Sequence, residues 1–417
     1  MQPIFRQTYN RRFSEAQYRK FLEDMNQCFN YHIPFRIAET PVFLPPEFMK
    51  KLMEGAHDVV QVICDPQFPE RTRAAIPAEH YVPNQNEHTL FFSLDFAVCQ
   101  DEAGKLYPQL IELQGFPSLF FYQDWLAKKY RQHFWLPENL THFFNGLDSE
   151  RYTELLKKVL LNGHKPENVI LLELEPERQH TRIDFLCTEA ATGIRSVCIT
   201  QVKKSGKQLY YLRDGKKTPI HRIYNRLIFD EWIQYPEKRG EFDLTDEVEV
   251  EWAGHPNWFF QISKYTMPML NSPFVPETHF LHQLESWPDD LENYVLKPLY
   301  SFAGSGVIIG PTREQLQALK VPSHYVLQKR IEYAPVVATP DEPAKCEVRV
   351  MYVWEPDAPA PTAVTDLVRL SKGAMIGVKY NKNKRWVGGS LGLFDPEVGK
   401  NTELLQKHKQ QLRNFTR

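Results

Sequence analysis

The run YVLKPLYSFAGSGVIIGPTREQLQALKVPSHYVLQKRIEYAP, residues 294–335, leaves a chain few ways to fold. Short β-rich runs at 294–296 and 307–309 are separated by Gly304, Ser305 and Gly306, which predicts strand, loop, strand. Thr312 and Gln315 have capping-box spacing, Leu316 and Leu319 give the following helix an apolar side, and another strand opens at 325–328. Lys297 therefore stands at the end of a strand, just ahead of a flexible turn. Glycines let backbone N–H groups approach phosphate oxygens while a lysine supplies a point charge, so the pieces suit a polyphosphate. The familiar GxxxxGK[ST] phosphate loop is absent, because here the lysine precedes the glycines and no helix opens on them. Taken alone, the same residues also fit a plain hairpin with a small-residue turn.

At 417 residues the chain exceeds one ordinary domain, and two to three lobes of about 100–200 residues are expected. Lys plus Arg (50) nearly balance Asp plus Glu (52), so no overall field draws the protein to nucleic acid or an anionic membrane. The first twenty residues hold no apolar core of signal-peptide length, and no window reaches the roughly 20 apolar residues of a membrane span. A cytoplasmic address is the expectation. Six scattered cysteines, with no CxxC pair, argue against a zinc site or a disulfide framework.

Residues 90–115, LFFSLDFAVCQDEAGKLYPQLIELQG, read as two β runs joined by a turn at 101–105. Asp95 lies in the first run. Glu112 and Gln114 lie two apart in the second and so share a face. Three oxygen-bearing side chains on one hairpin can converge, and a hard cation such as Mg²⁺ takes oxygen ligands completed by nucleotide phosphates and water. The competing reading is a hairpin with a polar solvent face.

Elsewhere the N-terminal sixty residues are expected to be mainly helical, with Ser14 and Gln17 capping one helix and Pro45-Pro46 opening another. A helix capped by Ser149 should end at Asn162-Gly163. Apolar runs at 168–174 and 196–201, with a crossover near 181–191, predict an α/β lobe, and the polar run 173–184 is a possible wall of a substrate site or a solvated loop. Residues 248–252 alternate as a half-exposed strand. Strands are also predicted at 346–353 and 365–370, carrying Arg349 and Arg369. Arg226 has the planar fork suited to a phosphate or carboxylate, and an ordinary salt bridge is the alternative.

The order of these pieces resembles the ATP-grasp superfamily. A lysine-proline strand (Lys297, Pro298), a small-residue loop (Gly304 to Gly306) and a hinge strand (Gln328, Lys329, Glu332) follow one another. The metal-type segment LDF…IELQGFPS lies upstream rather than downstream, as in the circularly permuted branch typified by glutathionylspermidine synthase. That resemblance implies a mixed α/β fold in three parts. They are a helical region with the metal-binding hairpin (1–164), an α/β lobe ahead of the nucleotide site (165–260), and the nucleotide-binding lobe with a C-terminal segment (261–417). It further implies ATP and Mg²⁺ as cofactors, with Asp95, Glu112 and Gln114 on the metal. Lys264, ahead of Val275-Pro276-Glu277-Thr278, would join Lys297, Gly304, Ser305, Gly306, Gln328, Lys329 and Glu332 around the nucleotide. Arg349, Arg369 and Arg226, the last in YNR where the family has a YRR-like element, would face the transferred phosphate or the substrate.

Two departures stand out: Gln114 occupies a position where the family usually has asparagine, and Ser93 one where it often has arginine. The implied activity is a carboxylate–amine or carboxylate–thiol ligase working through an acylphosphate, on a small-molecule or peptide acid and an amine. The alternatives are a phosphotransferase on the same fold and a non-catalytic nucleotide-binding module. No GxSxG nucleophile motif competes.

Overall fold

The computed structural model describes residues 1–238, 240–300, 305–373, 376, 381 and 383–400. Its framework is a five-stranded antiparallel sheet in the order Gly388–Ser390, Thr362–Ser371, Lys345–Val353, Phe91–Gln100, Leu106–Gln114. The predicted hairpin is the right-hand pair, and the two arginine-bearing strands lie directly beside it. Alternation decides what each face does. Leu94, Phe96, Val98, Val348, Val350 and Val368 point into a core closed by the helix Pro46–Ile63. On the opposite face Phe91, Met351, Val353 and Leu367 join a second core with the helix Phe120–His133. Each fully buried side chain of this kind is worth roughly 1.5–3 kcal/mol over leaving it in water. Farther along that second face lie the charged residues Asp95, Glu347, Arg349 and Arg369.

A four-stranded parallel sheet, ordered Glu251–Ala253, Arg222–Asn225, Val169–Glu173, Arg195–Cys198, forms the α/β lobe. The helix Arg182–Thr192 is its crossover, ended by Gly193 at φ +77°. A separate antiparallel sheet runs Thr278–Phe280, Tyr325–Lys329, Tyr294–Pro298, Ile308–Ile309. The helix Arg313–Gln317 beside it opens with both halves of the predicted Thr312–Gln315 capping box.

Three local expectations shift. The helix Ser149–Leu161 is capped by Asp148, whose carboxylate accepts from the Arg151 N–H, while the Ser149 hydroxyl donates to Asp124 instead. The strand expected at 196–201 ends at Cys198 and turns into the 3₁₀ segment Ile199–Gln201. Of residues 248–252, only the end pairs, in the strand Glu251–Ala253, because its partner Arg222–Asn225 starts there. All six cysteines are free, and among the described residues no helix is long and apolar enough to cross a membrane.

Candidate functional site

The charged part of the central sheet begins at one register row. Arg349 pairs with Asp95, and Asp95 with Glu112, so three strands bring these side chains onto one face. A bulge beside Asp95 skips Ile111 and lets Glu112 and Gln114 keep that face. Asp95 is 0% exposed. Arg349 donates to both its oxygens, Nε to Oδ1 (2.6 Å) and Nη2 to Oδ2 (2.7 Å), and Arg369 Nη2 adds a third bond to Oδ2 (3.0 Å). Burial would raise the Asp95 carboxyl, but the two guanidinium groups hold it below its ordinary value.

Arg369 also bonds Glu347, whose second oxygen accepts from the Tyr333 hydroxyl (2.9 Å). Burial raises the Glu347 carboxyl, and Arg369 offsets this only in part. Glu347 and Tyr333 are members of the site that the sequence reading missed. Glu347 was detectable, since it stands two residues before Arg349 on an alternating strand. Tyr333 is delivered by the hinge: Ala334 N–H donates to Val98 O (2.9 Å), which ties the segment after Lys329 to the central sheet.

Next to this closed group lies a looser one. Gln114 Nε2 donates to Glu112 Oε1 (2.8 Å), and Lys297 Nζ donates to the carbonyl of Ile111 (3.0 Å), so the late lysine reaches the early hairpin. Lys264, opening the 3₁₀ segment Lys264–Met269, lines a cleft with Glu112, Gln114, Ser263, Leu299 and Tyr300. Both lysines are partly accessible, yet protein crowds them closely enough to strip much of their water. Desolvation pulls Lys297 down to about 8 against the attraction of Glu112, and Lys264 repels it further. Lys264 is lowered for the same first reason, against Glu112 and Asp230. Glu112 thus faces two ammonium groups whose charge it does not fully support.

The remaining sequence candidates fall at varied distances from this centre. Gly306 sits at φ +70°, with Pro298 Cγ 2.9 Å from where a Cβ would stand, so only glycine suits the turn. Ser305 beside it is exposed, and Gly304 lies outside the described residues. Gln328 is buried and donates to Thr278 Oγ1 (3.1 Å), Lys329 N–H bonds Glu277 O (2.8 Å), and Glu332 is exposed near Cys99 and Tyr107. Arg226 belongs to the parallel sheet, where Phe116 and Phe185 flank it.

For a nucleotide, the residues present fit: Lys264 on the cleft and Lys297 beside the Glu112 strand carry the positive charge that a polyphosphate would neutralise. For Mg²⁺, Glu112 and the amide oxygen of Gln114 form a suitable oxygen pair. Asp95 differs, since both its oxygens already accept from guanidinium. Among the described residues no three His, Cys, Asp or Glu side chains gather as a complete ligand cluster.

Comparison with known proteins gives the fold a context. No family model matches the chain, and no curated protein matches it. Among solved structures it is similar to a glutathione synthetase-like effector from Globodera pallida, determined in apo form. The TM-score is 0.53 and the identity 10%, over 90% of this chain and 97% of that one. The mixed α/β fold is therefore of the glutathione synthetase-like kind.

Proposed function

We propose that the protein is an ATP- and Mg²⁺-dependent ligase of the ATP-grasp type, in the circularly permuted order, joining a carboxylate to an amine or a thiol. The observation that carries this reading is the meeting of Lys297 with the Glu112 strand, beside Lys264 and the Arg349–Arg369 pair. The glutathione synthetase-like fold supports it. A small acid or peptide carboxylate and an amine are the partners, in a cytoplasmic setting.

Bound Mg·ATP would supply the phosphoryl group that activates the carboxylate as an acylphosphate. The work of the chain is to position and screen. Lys264 and Lys297 would bind phosphate oxygens from the cleft. Glu112 and Gln114 would hold the cation. Arg349 and Arg369 keep positive charge where two anions must meet, and Asp95 with Glu347 fixes their orientation. Asp95 is thus proposed as an anchor of the arginines as much as a neighbour of the metal.

The competing reading is a nucleotide-binding module without catalysis, and the sealing of Asp95 by two arginines is the observation in its favour. A screen of carboxylic acids and amines for ADP release, run on wild type and Glu112→Gln, separates the two. A ligase releases ADP only with the right acid and loses at least 100-fold of that rate in the variant. A binding module shows no acid-dependent release, and the variant loses only Mg²⁺-dependent affinity.

A further inference from the structure

The parallel sheet has a second end that the nucleotide site does not use. Arg222 and Glu251 open neighbouring strands there and lie opposite each other in register, at the amino edge. Beside them is an open pocket of about 390 Å³, within the roughly 300–1,000 Å³ of small-molecule sites. None of the residues lining it lines the cleft around Lys264. Four separate stretches of chain form it: parts of 84–90, Asn162 just past the helix Ser149–Leu161, the run 250–252, and Pro356.

One wall is a closed set of charges. Arg222 is 3% exposed and all three of its nitrogens donate: Nε to Leu160 O (2.9 Å), Nη2 to Val159 O (2.9 Å) and Nη1 to Glu251 Oε2 (2.6 Å). The guanidinium thereby satisfies carbonyls in the last turn of the helix Ser149–Leu161, where positive charge is favoured. Glu251 Oε2 also accepts from Asn162 Nδ2 (2.9 Å), and His164 Nε2 lies 3.1 Å from Oε1. Burial would raise the Glu251 carboxyl, but Asn162, His164 and Arg222 hold it below its ordinary value. On another wall His88 is fixed in place, stacked on Trp354 at 4.0 Å, with its ring nitrogens 3.0 and 3.3 Å from the Thr89 and Pro356 carbonyl oxygens.

The groups left over are amides and one carboxylate. Asn86 Oδ1 accepts from Trp258 Nε1 (3.1 Å), which leaves its NH₂ without an acceptor among the described residues. Asn162 is the reverse: its NH₂ is spent on Glu251 and its carbonyl oxygen is open. Glu87 is exposed, and its carboxylate has no hydrogen-bond or ion-pair partner among the described residues.

This set discriminates by charge and by hydrogen-bond type. The one arginine in the lining is already neutralised by Glu251, so an anion meets Glu87 with nothing to hold it. A simple ammonium ion finds Glu87 but leaves the Asn86 donor unused. A hydroxyl both donates and accepts, so several on one molecule match amide NH₂, amide oxygen and carboxylate together. Leu90, Val250 and Trp252 add apolar surface for the carbon–hydrogen faces of such a molecule.

We infer that this pocket, at the amino edge of the parallel sheet, binds a neutral, hydroxyl-rich small molecule of the sugar class, with Glu87, Asn86 and Asn162 recognising its hydroxyls. The site goes beyond the ligase reading and stands whether or not that reading does.

The test titrates the full-length chain by calorimetry with glucose, galactose, mannose, N-acetylglucosamine, maltose and cellobiose, and with n-propylammonium and inorganic phosphate as charged probes. At least one sugar is expected to bind with a Kd of about 1 mM or tighter, and both charged probes about 10-fold or more weakly. Glu87→Ala removes an exposed side chain that bonds to nothing else among the described residues, and should lose about 10-fold of the sugar affinity. Glu87→Gln should lose less, because it keeps one acceptor oxygen. Lys297→Met, on the other side of the nucleotide reading, should leave sugar affinity unchanged. Failure of all six sugars to bind overturns the proposal, as does either charged probe binding as tightly as the best sugar. Unchanged affinity in Glu87→Ala overturns it too. So does a loss in Lys297→Met as large as that in Glu87→Ala, which would put the sugar in the nucleotide cleft.

Discussion

Asp95 and Lys297 stand on neighbouring parts of one charged surface and are treated oppositely by their surroundings. Asp95 is buried completely, yet three guanidinium bonds more than compensate, and its carboxyl is held below the ordinary range. Lys297 is less enclosed, but its ammonium, which donates to the Ile111 carbonyl, is pulled down to about 8. One set of charges is closed on itself. On the proposed reading, the other would gain its balance from a bound anion. On the proposed reading, the difference separates groups that hold the fold from groups that would meet a ligand, and burial alone would have ranked them the other way.

The largest effect should come from breaking the closed set. Asp95→Ala leaves Arg349 buried and uncompensated, and should cost about 3–5 kcal/mol of stability in denaturant unfolding without nucleotide. A variant as stable as wild type would mean the arginines are not structurally committed. The open set should respond in the reverse sense. Lys297→Met removes a desolvated charge, so unfolding stability should stay level or rise while ATP affinity falls at least 10-fold by calorimetry. Equal loss of both would erase the contrast.

A pH series sharpens it further. The folded-state pKa of Lys297 lies below its unfolded value, so between about 8 and about 10.4 the unfolded chain binds more protons. This group's contribution to stability therefore improves as pH rises through that window. ATP affinity should fall over the same range, and Lys297→Met should flatten both slopes. The smallest change is Tyr333→Phe, which deletes one hydrogen bond to Glu347 and should cost about 1 kcal/mol with little change in ATP affinity.

Local pattern carried much of this architecture. The hairpin at 91–114, the capping box at Thr312 and the left-handed stop at Asn162 all lie in the sequence as alternation, spacing and turn chemistry. What alternation does not carry is which strands become neighbours. Nothing near Asp95 says that Arg349 will lie opposite, so the arginines were expected near phosphate and the aspartate near metal, without the bonds between them. Ser149 and Asp148 are both good caps, and only the nearby Asp124 decides which one turns away. Glu347 was passed over because a lone glutamate on a strand resembles a solvated one until the opposite sheet face is known to be covered.

The central sheet has one more consequence, for how the molecule is made. Asp95 and Arg349 are separated by 254 positions, and the strand that bears the aspartate pairs, from Phe91 to Ala97, with the one that bears the arginine. During synthesis the early hairpin must wait, with an open edge and an unneutralised carboxylate, until most of the polypeptide has emerged. Such a delay is typical of topologies dominated by distant pairings, and it makes the Phe91–Gln100 edge the place where a stalled or shortened product would first recruit another chain.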